Sequence, residues 1–268
     1  MTAELIGLAI SPYTEKARWA LDHHSVPYRF NEHLVIFGMP ALRFKIRRFT
    51  GDVTVPVLIE GEHRLLDSFD IARFADERGT SAKLFPPDRA ADLERFRALS
   101  DEGLDAGRAI MVPKMSADPE ARAESVPSMF PKILKPVVLP FVKVGFNYVS
   151  REFGIDAAAS ERNEDRLRVV LLRIRSELKA GGGSYLLGSF SFADILMAVV
   201  LQLVTPVDQK YVRVAGPATL RCLTHERLRD EFPDLLKWRD GLYEKHRAPR
   251  APLSATAGAA HVLRSAKA

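Results

Sequence analysis

The stretch Val53-Thr54-Val55-Pro56-Val57-Leu58-Ile59-Glu60-Gly61-Glu62-His63-Arg64-Leu65-Leu66-Asp67-Ser68 decides the fold. It predicts a β-strand entered at a proline, a tight turn at Glu60-Gly61-Glu62, a second short strand and a helix that begins at Asp67-Ser68. Pro56 lacks a backbone N–H and, if its bond to Val55 is cis, bends the chain sharply before the strand. The backbone of Val55 then lies open to an extended peptide. Asp67 and Ser68 set a carboxylate and a hydroxyl at a helix N-terminus, where unpaired N–H groups and the helix dipole also hold a ligand carboxylate. These residues suit a short peptide that carries an amine and a carboxylate at one end. Their ordinary alternative is a hairpin followed by a capped helix.

Working outward, residues 4–10 (Glu-Leu-Ile-Gly-Leu-Ala-Ile) are an apolar run of strand length. They end at Ser11-Pro12, which suit the cap and first position of a helix whose apolar stripe is Ala17, Ala20 and Leu21. Val26–Phe30 predicts a second strand, and a basic connecting segment leads to the hairpin and to a helix over about 68–78. The order is βαβ–ββα. At the first helix start, the Ser11 hydroxyl can donate a hydrogen bond to a bound thiol's sulfur. That bond and the positive helix end both favour thiolate, the nucleophilic form. The plain alternative for Ser11 is an N-cap.

Far downstream, Ser191 and Asp194 have capping-box spacing, with Asp in the place of the usual Glu or Gln. Phe190 and Ile195 have the spacing of a hydrophobic staple. An apolar helix follows to about Val204. A later run, Glu231-Phe232-Pro233-Asp234-Leu235-Leu236-Lys237-Trp238, predicts another helix start.

The Val-Pro-Val-Leu strand, the hairpin, the Asp67-Ser68 helix start, the Ser191–Asp194 box and the 231–238 run resemble, in this order, the glutathione transferase family. The resemblance covers most of residues 4–245. It implies an α/β plus all-α fold: a thioredoxin-like N-terminal domain over 1–80, then a C-terminal helical bundle over 88–247, then a tail over 248–268. Glutathione is the implied co-substrate. Val55, before the cis Pro56, pairs by backbone with its cysteinyl part, and Asp67 with Ser68 holds its γ-glutamyl end. Ser11 falls where serine-type members keep the activating hydroxyl. Tyr13 is the alternative donor, because other classes use a tyrosine near this strand end; its ordinary reading is a surface or core aromatic. For the glycyl carboxylate, Lys45 is the first choice and Arg48 the second, within Arg43-Phe44-Lys45-Ile46-Arg47-Arg48. In the family the Ser191–Asp194 box serves folding and not catalysis. Relatives with cysteine at the Ser11 position perform thiol–disulfide exchange. The only cysteine here is Cys222, so that chemistry, an intrachain disulfide and a multi-cysteine metal site are all excluded, and Cys222 reads as a small buried residue.

At 268 residues the chain accommodates two domains, and 47% hydrophobic with 27% charged residues is ordinary globular composition. The net charge of +5 fits an anionic small substrate; there is no aromatic-interleaved basic stripe of a nucleic-acid binder. No apolar run reaches membrane-span length and no targeting leader is evident, so the cytoplasm is the expected location. The seven histidines show no ligand spacing, and no metal is assigned.

Between the two sets of landmarks the chain is longer than the family pattern by about 40 residues, set against ordinary helix lengths. A helix is expected from about Asp88 to Met111, a breaker-rich break at 112–119, and an apolar, proline-interrupted stretch at 128–149 with Lys132, Lys135 and Lys143 spaced through it. A regular helix resumes near Glu164. The insertion, about 112–155, is expected to lid or reshape the second-substrate pocket, lined by Met111, Met115, Phe141 and Tyr148; added core or dimer surface is the equal alternative, and a membrane-surface role the weaker one. The tail is either partly disordered or folded over the active-site mouth.

The reading is a cytoplasmic, homodimeric glutathione transferase of detoxification type. Its thiolate, held by Ser11, attacks an apolar electrophile by substitution or conjugate addition. The competing reading is a non-catalytic ligand carrier or interaction module on the same fold.

Overall fold

The computed structural model describes residues 2–35, 38–126 and 131–250. Strand β1 (Ala3–Gly7) is the spine of a four-stranded sheet of order β2-β1-β3-β4. Helix α1 (Pro12–His23) carries the chain across to β2 (Tyr28–Glu32), which runs parallel to β1 with Ala3 opposite Tyr28. Helix α2 (Met39–Ile46) then leads to β3 (Val57–Glu60) and β4 (His63–Leu65), both antiparallel to their neighbours, and α3 (Ser68–Arg78) closes the unit. This is the expected βαβ–ββα order of a thioredoxin-like domain. The hairpin loop is tight because Gly61 takes φ +56°, where a Cβ is strained.

One strand is shorter than expected, and β2 starts two residues later than expected, at Tyr28. β1 stops at Gly7, and Leu8–Ser11 form a turn in which the Ser11 N–H donates to the Leu8 carbonyl at 3.0 Å. A Cβ on Gly7 would sit 2.6 Å from Thr14 Oγ1, so glycine is what lets α1 lie this close to the strand end. β3 begins at Val57, after a cis bond between Val55 and Pro56.

A helical domain follows: α4 (Ala90–Ala117), α5 (Pro119–Glu124), α6 (Lys135–Glu152), α7 (Ser160–Ala180), α8 (Phe192–Val200), α9 (Pro217–Leu223), α10 (Glu226–Glu231) and α11 (Pro233–His246). All nine residues of α8 are buried, as expected of a helix apolar on every side. Its start is the capping box read from the sequence. Asp194 accepts from the Ser191 N–H at 2.9 Å and also from the Leu186 N–H at 2.9 Å, fastening the preceding loop. Cys222 is buried beside Met115, Ala121 and Ala218.

The insertion is more helical than expected. α4 continues through Pro113 to Ala117, because Val112 and Met115 are buried on either side of the proline and their packing outweighs the hydrogen bond it removes. Asp118 then caps α5 through the Glu120 and Ala121 N–H groups. α6 tolerates Pro136 in its first turn and runs on past Pro140. α7 begins at Ser160, four residues before the expected start. The opening of the apolar stretch, 127–130, lies outside the described residues, as does the tail from 251.

Residues 246–250 return to the sheet domain. The Trp19 indole N–H donates to the His246 carbonyl at 3.0 Å, and the His246 ring stacks on Phe190 with centroids 3.8 Å apart. Burial drives the His246 pKa down to about 4, helped by Lys245 and His23. The unfolded chain therefore binds this proton first, and stability attributable to His246 falls as pH drops from about 6.5 towards 4. His246→Phe keeps the stack and removes the proton site. Its melting temperature is expected to fall less than that of the wild type between about pH 7 and pH 5. Equal slopes in the two proteins would discard this assignment.

Candidate functional site

The register of β1 and β3 assembles the site. Ile6 pairs with Val57, so the next residues along each strand, Gly7 and Pro56, lead away from the same sheet end. One continues into the Leu8–Ser11 turn and α1, the other is the cis Val55–Pro56 dipeptide. Among the described residues no backbone hydrogen bond engages Val55, which leaves its N–H and C=O for an extended ligand. Ser11 has extended dihedrals (φ −68°, ψ 129°) at the head of α1, and its side chain makes no capping hydrogen bond. The hydroxyl is therefore not spent on the helix, against the plain N-cap alternative.

Asp67 caps α3. Its Oδ1 accepts from the Phe69 N–H at 2.7 Å and the Asp70 N–H at 3.4 Å, while Oδ2 lies 3.4 Å from Arg97 on α4. Ser68 is buried directly behind it. Lys16, one turn into α1, is within electrostatic reach of Asp67, so the two helix starts face a common space.

That space is bounded on its far side by a polar face of α4. Arg97, Asp101, Asp105 and Arg108 are spaced by four, four and three residues and share that face. The Lys16 ammonium is buried 3.8 Å from Asp101 and 4.2 Å from the centre of the Tyr13 ring. Burial lowers its pKa to about 8 against the pull of Asp101. Burial likewise pushes the Tyr13 hydroxyl up to about 12, so it stays protonated at neutral pH. Arg108 lies 5.5 Å from the centre of the Tyr13 ring and 3.9 Å from that of Phe153, just beyond α6. Sequence reading alone passes over Lys16, Arg97, Asp101 and Arg108. The four-four-three spacing on α4 is the signal that finds the last three.

The basic segment is less settled as a carboxylate site. Lys45 is ion-paired with Glu4 on β1, which also accepts from Asn31. Arg43 donates to the Gly51 carbonyl at 2.8 Å, and Arg48 lies exposed beside the same loop. A glycyl carboxylate would take Lys45 only in competition with Glu4. The lining expected from the insertion needs a correction too. Met115 is 6% exposed, in the core cluster with Ala121, Ala218 and Cys222, and Met111 packs against that cluster. Met115 is thus core, while Met111 is half-buried between this cluster and the main core. Phe141 and Tyr148 are outward, 46% and 42% exposed.

A separate hollow of about 580 Å³ lies at the edge strand β2, lined by Arg18, Asp22, Tyr28, Phe30, Arg247 and Arg250 among others. It adjoins a different part of α1 and contains none of Ser11, Val55 or Asp67. Among the described residues no three His, Cys, Asp or Glu side chains gather as a metal site.

The N-terminal domain model of the glutathione S-transferases matches residues 5–81, and the C-terminal domain model of the same family matches 126–245. The chain belongs to the glutathione S-transferase family. Solved structures agree on the fold. A glutathione transferase from Phanerochaete chrysosporium is 17% identical, with 94% of this chain and 99% of that chain covered at a TM-score of 0.62. A family member from Pseudomonas fluorescens Pf-5, solved with bound glutathione, is 18% identical over 94% of this chain and all of that one, at 0.58. A glutathione S-transferase from Methylobacillus flagellatus, also with glutathione bound, is 18% identical over 93% of this chain and all of that one, at 0.57. A search of curated proteins gives no match.

Proposed function

We propose that this glutathione S-transferase family member is an active glutathionyl transferase. The observation that carries the reading is the meeting of two helix starts, Ser11 on α1 and Asp67-Ser68 on α3, at the sheet end where Val55 has unspent backbone groups. Glutathione would lie across that end. Its cysteinyl backbone pairs with Val55, its γ-glutamyl group meets Asp67 and Ser68, and its sulfur faces the Ser11 hydroxyl. Asp67 Oδ2 offers a carboxylate to the γ-glutamyl amine beside Arg97, whose charge suits the carboxylate on the same carbon.

The Ser11 hydroxyl donates to the sulfur, and the α1 dipole adds to the preference for thiolate. The thiolate then attacks an electrophilic carbon. A carbon–sulfur bond forms, and the electron pair leaves with a displaced group or moves onto a conjugated acceptor. Positioning of the two reactants supplies much of the rate. Lys16, Arg97 and Arg108 are each paired with a carboxylate of the same space, Asp101, Asp67 and Asp105, so the preference for thiolate rests on the Ser11 hydroxyl and the helix start. An apolar electrophile, a homodimer and a cytoplasmic setting complete the proposal.

Calorimetric titration with reduced glutathione and with S-methyl glutathione tests the peptide site. Binding of both is expected, since the methyl group removes the thiol proton but no recognition group. Failure of both in a folded sample would move the function to the carrier or interaction reading.

A further inference from the structure

α6 carries apolar residues on two sides, separated by a polar stripe of Lys143, Asn147 and Arg151, and one of its apolar sides faces solvent. Val138, Leu139, Val142, Phe146 and Val149 are at least partly covered. On the opposite side, Val137, Phe141, Val144 and Tyr148, spaced by four, three and four, are 65%, 46%, 53% and 42% exposed, and Ile133 and Leu134 just before the helix are 84% and 44% exposed. A contiguous exposed apolar stripe of this kind marks an interaction surface.

A second segment extends the face. Phe44 and Phe49, on and just after α2, are 73% and 68% exposed. Tyr148, near the end of α6, lies within electrostatic reach of Arg43 on α2 and of Asp52 beyond it. The charge on both segments is predominantly positive. Residues 39–50 contain Arg43, Lys45, Arg47 and Arg48 and no acid, and residues 131–152 contain Lys132, Lys135, Lys143 and Arg151 against Glu152 alone. Glu4 on β1 and Glu62 in the β3–β4 turn engage Lys45 and Arg47, so a surplus of cations remains.

We infer that this composite face docks on an anionic lipid surface. A two-fold contact with a second copy would set the same cations against themselves. An acidic bilayer surface answers the charge while its acyl boundary takes the apolar stripe. No described helix is long and apolar enough to cross a membrane, so α6 would lie in the interface. Phe153, at the end of the same helix, stacks on Arg108, so the docked face adjoins the space in front of Ser11 and Asp67.

The test is co-sedimentation of the full chain with phosphatidylcholine vesicles, with and without about 30% phosphatidylserine. Partition is expected to be at least about tenfold stronger with the anionic lipid and to weaken steeply between about 50 and 500 mM salt. Val137→Asp combined with Val144→Asp should bring binding down to the level on neutral vesicles. Phe44→Ser with Phe49→Ser, on the other domain, should do so independently; circular dichroism checks the fold of each, and the second pair decides if the first misfolds. Three results overturn the inference: no vesicle binding by the wild type, equal binding to both lipids, or wild-type binding by folded variants. A chain that ignores vesicles and dimerises through α6 assigns the face to a second copy instead.

Discussion

Ser11→Ala is expected to lower turnover about 100-fold while leaving glutathione affinity nearly unchanged. The recognition groups in the proposed site are the Val55 backbone, Asp67 and Ser68, none of which the substitution touches. What it removes is one hydrogen-bond donor aimed at developing and resting negative charge on sulfur, an interaction typically worth a factor of about 10²–10³. Because the Ser11 side chain makes no capping bond, alanine there has little helix stability to lose, and Pro12 still presets the first turn. The bound thiol should titrate closer to the ordinary range near 8.5, visible as a later rise of thiolate absorbance with pH. Unchanged turnover with the same thiolate titration would remove Ser11 from the mechanism. Tyr13→Phe then tests the alternative donor, although burial of its hydroxyl beside Lys16 and Arg108 suits a structural aromatic.

What could be read from the chain follows the range of the forces involved. The start of α3 at Ser68 was legible because its cap is local: Asp67 bonds to N–H groups two and three residues on. The Ser191–Asp194 box and the Gly61 turn are local in the same sense. The fold class follows from such marks in series, and the outline of the candidate site with it, since Ser11, Val55 and Asp67 each sit at an element boundary. The continuation of α4 through Pro113 was not legible, because the deciding term is the burial of Val112 and Met115 against other helices. Nor was the tie between Lys45 and Glu4, 41 residues apart, which changes how the basic segment can serve a ligand. The α4 face that closes the site was half-legible: the spacing of Arg97, Asp101 and Arg108 marks a stripe, but not what it faces.

Arg247→Leu is expected to cost about 3–5 kcal/mol, because it leaves a buried carboxylate short of its partner. Arg247 and Glu15 are 232 residues apart in sequence and joined by an Arg247 Nε–Glu15 Oε1 bond of 2.8 Å; their side chains are 2% and 1% exposed. Burial alone would lower the guanidinium pKa, but Glu15 and Asp22 hold it above its usual value, so Arg247 is charged at any pH the protein survives. Arg250 remains in the variant, 3.0 Å from Glu15 Oε2, and cannot also fill the Nε position. For a chain of this size the loss corresponds to a fall in melting temperature of about 10 °C. Glu15→Leu added to Arg247→Leu should restore part of it, since an apolar pair costs less than a stranded charge. A single variant within about 1 kcal/mol of wild type would show the pair to be solvated, as surface ion pairs are. The strap also bears on function. Arg250 donates to the Ala9 carbonyl at 3.1 Å, inside the turn that carries Ser11, and Glu15 is one helical turn past it. Residues 247–250 thus brace the α1 start from the helical domain, and a loosened strap should lower turnover at temperatures well below its own melting point, with glutathione affinity falling less.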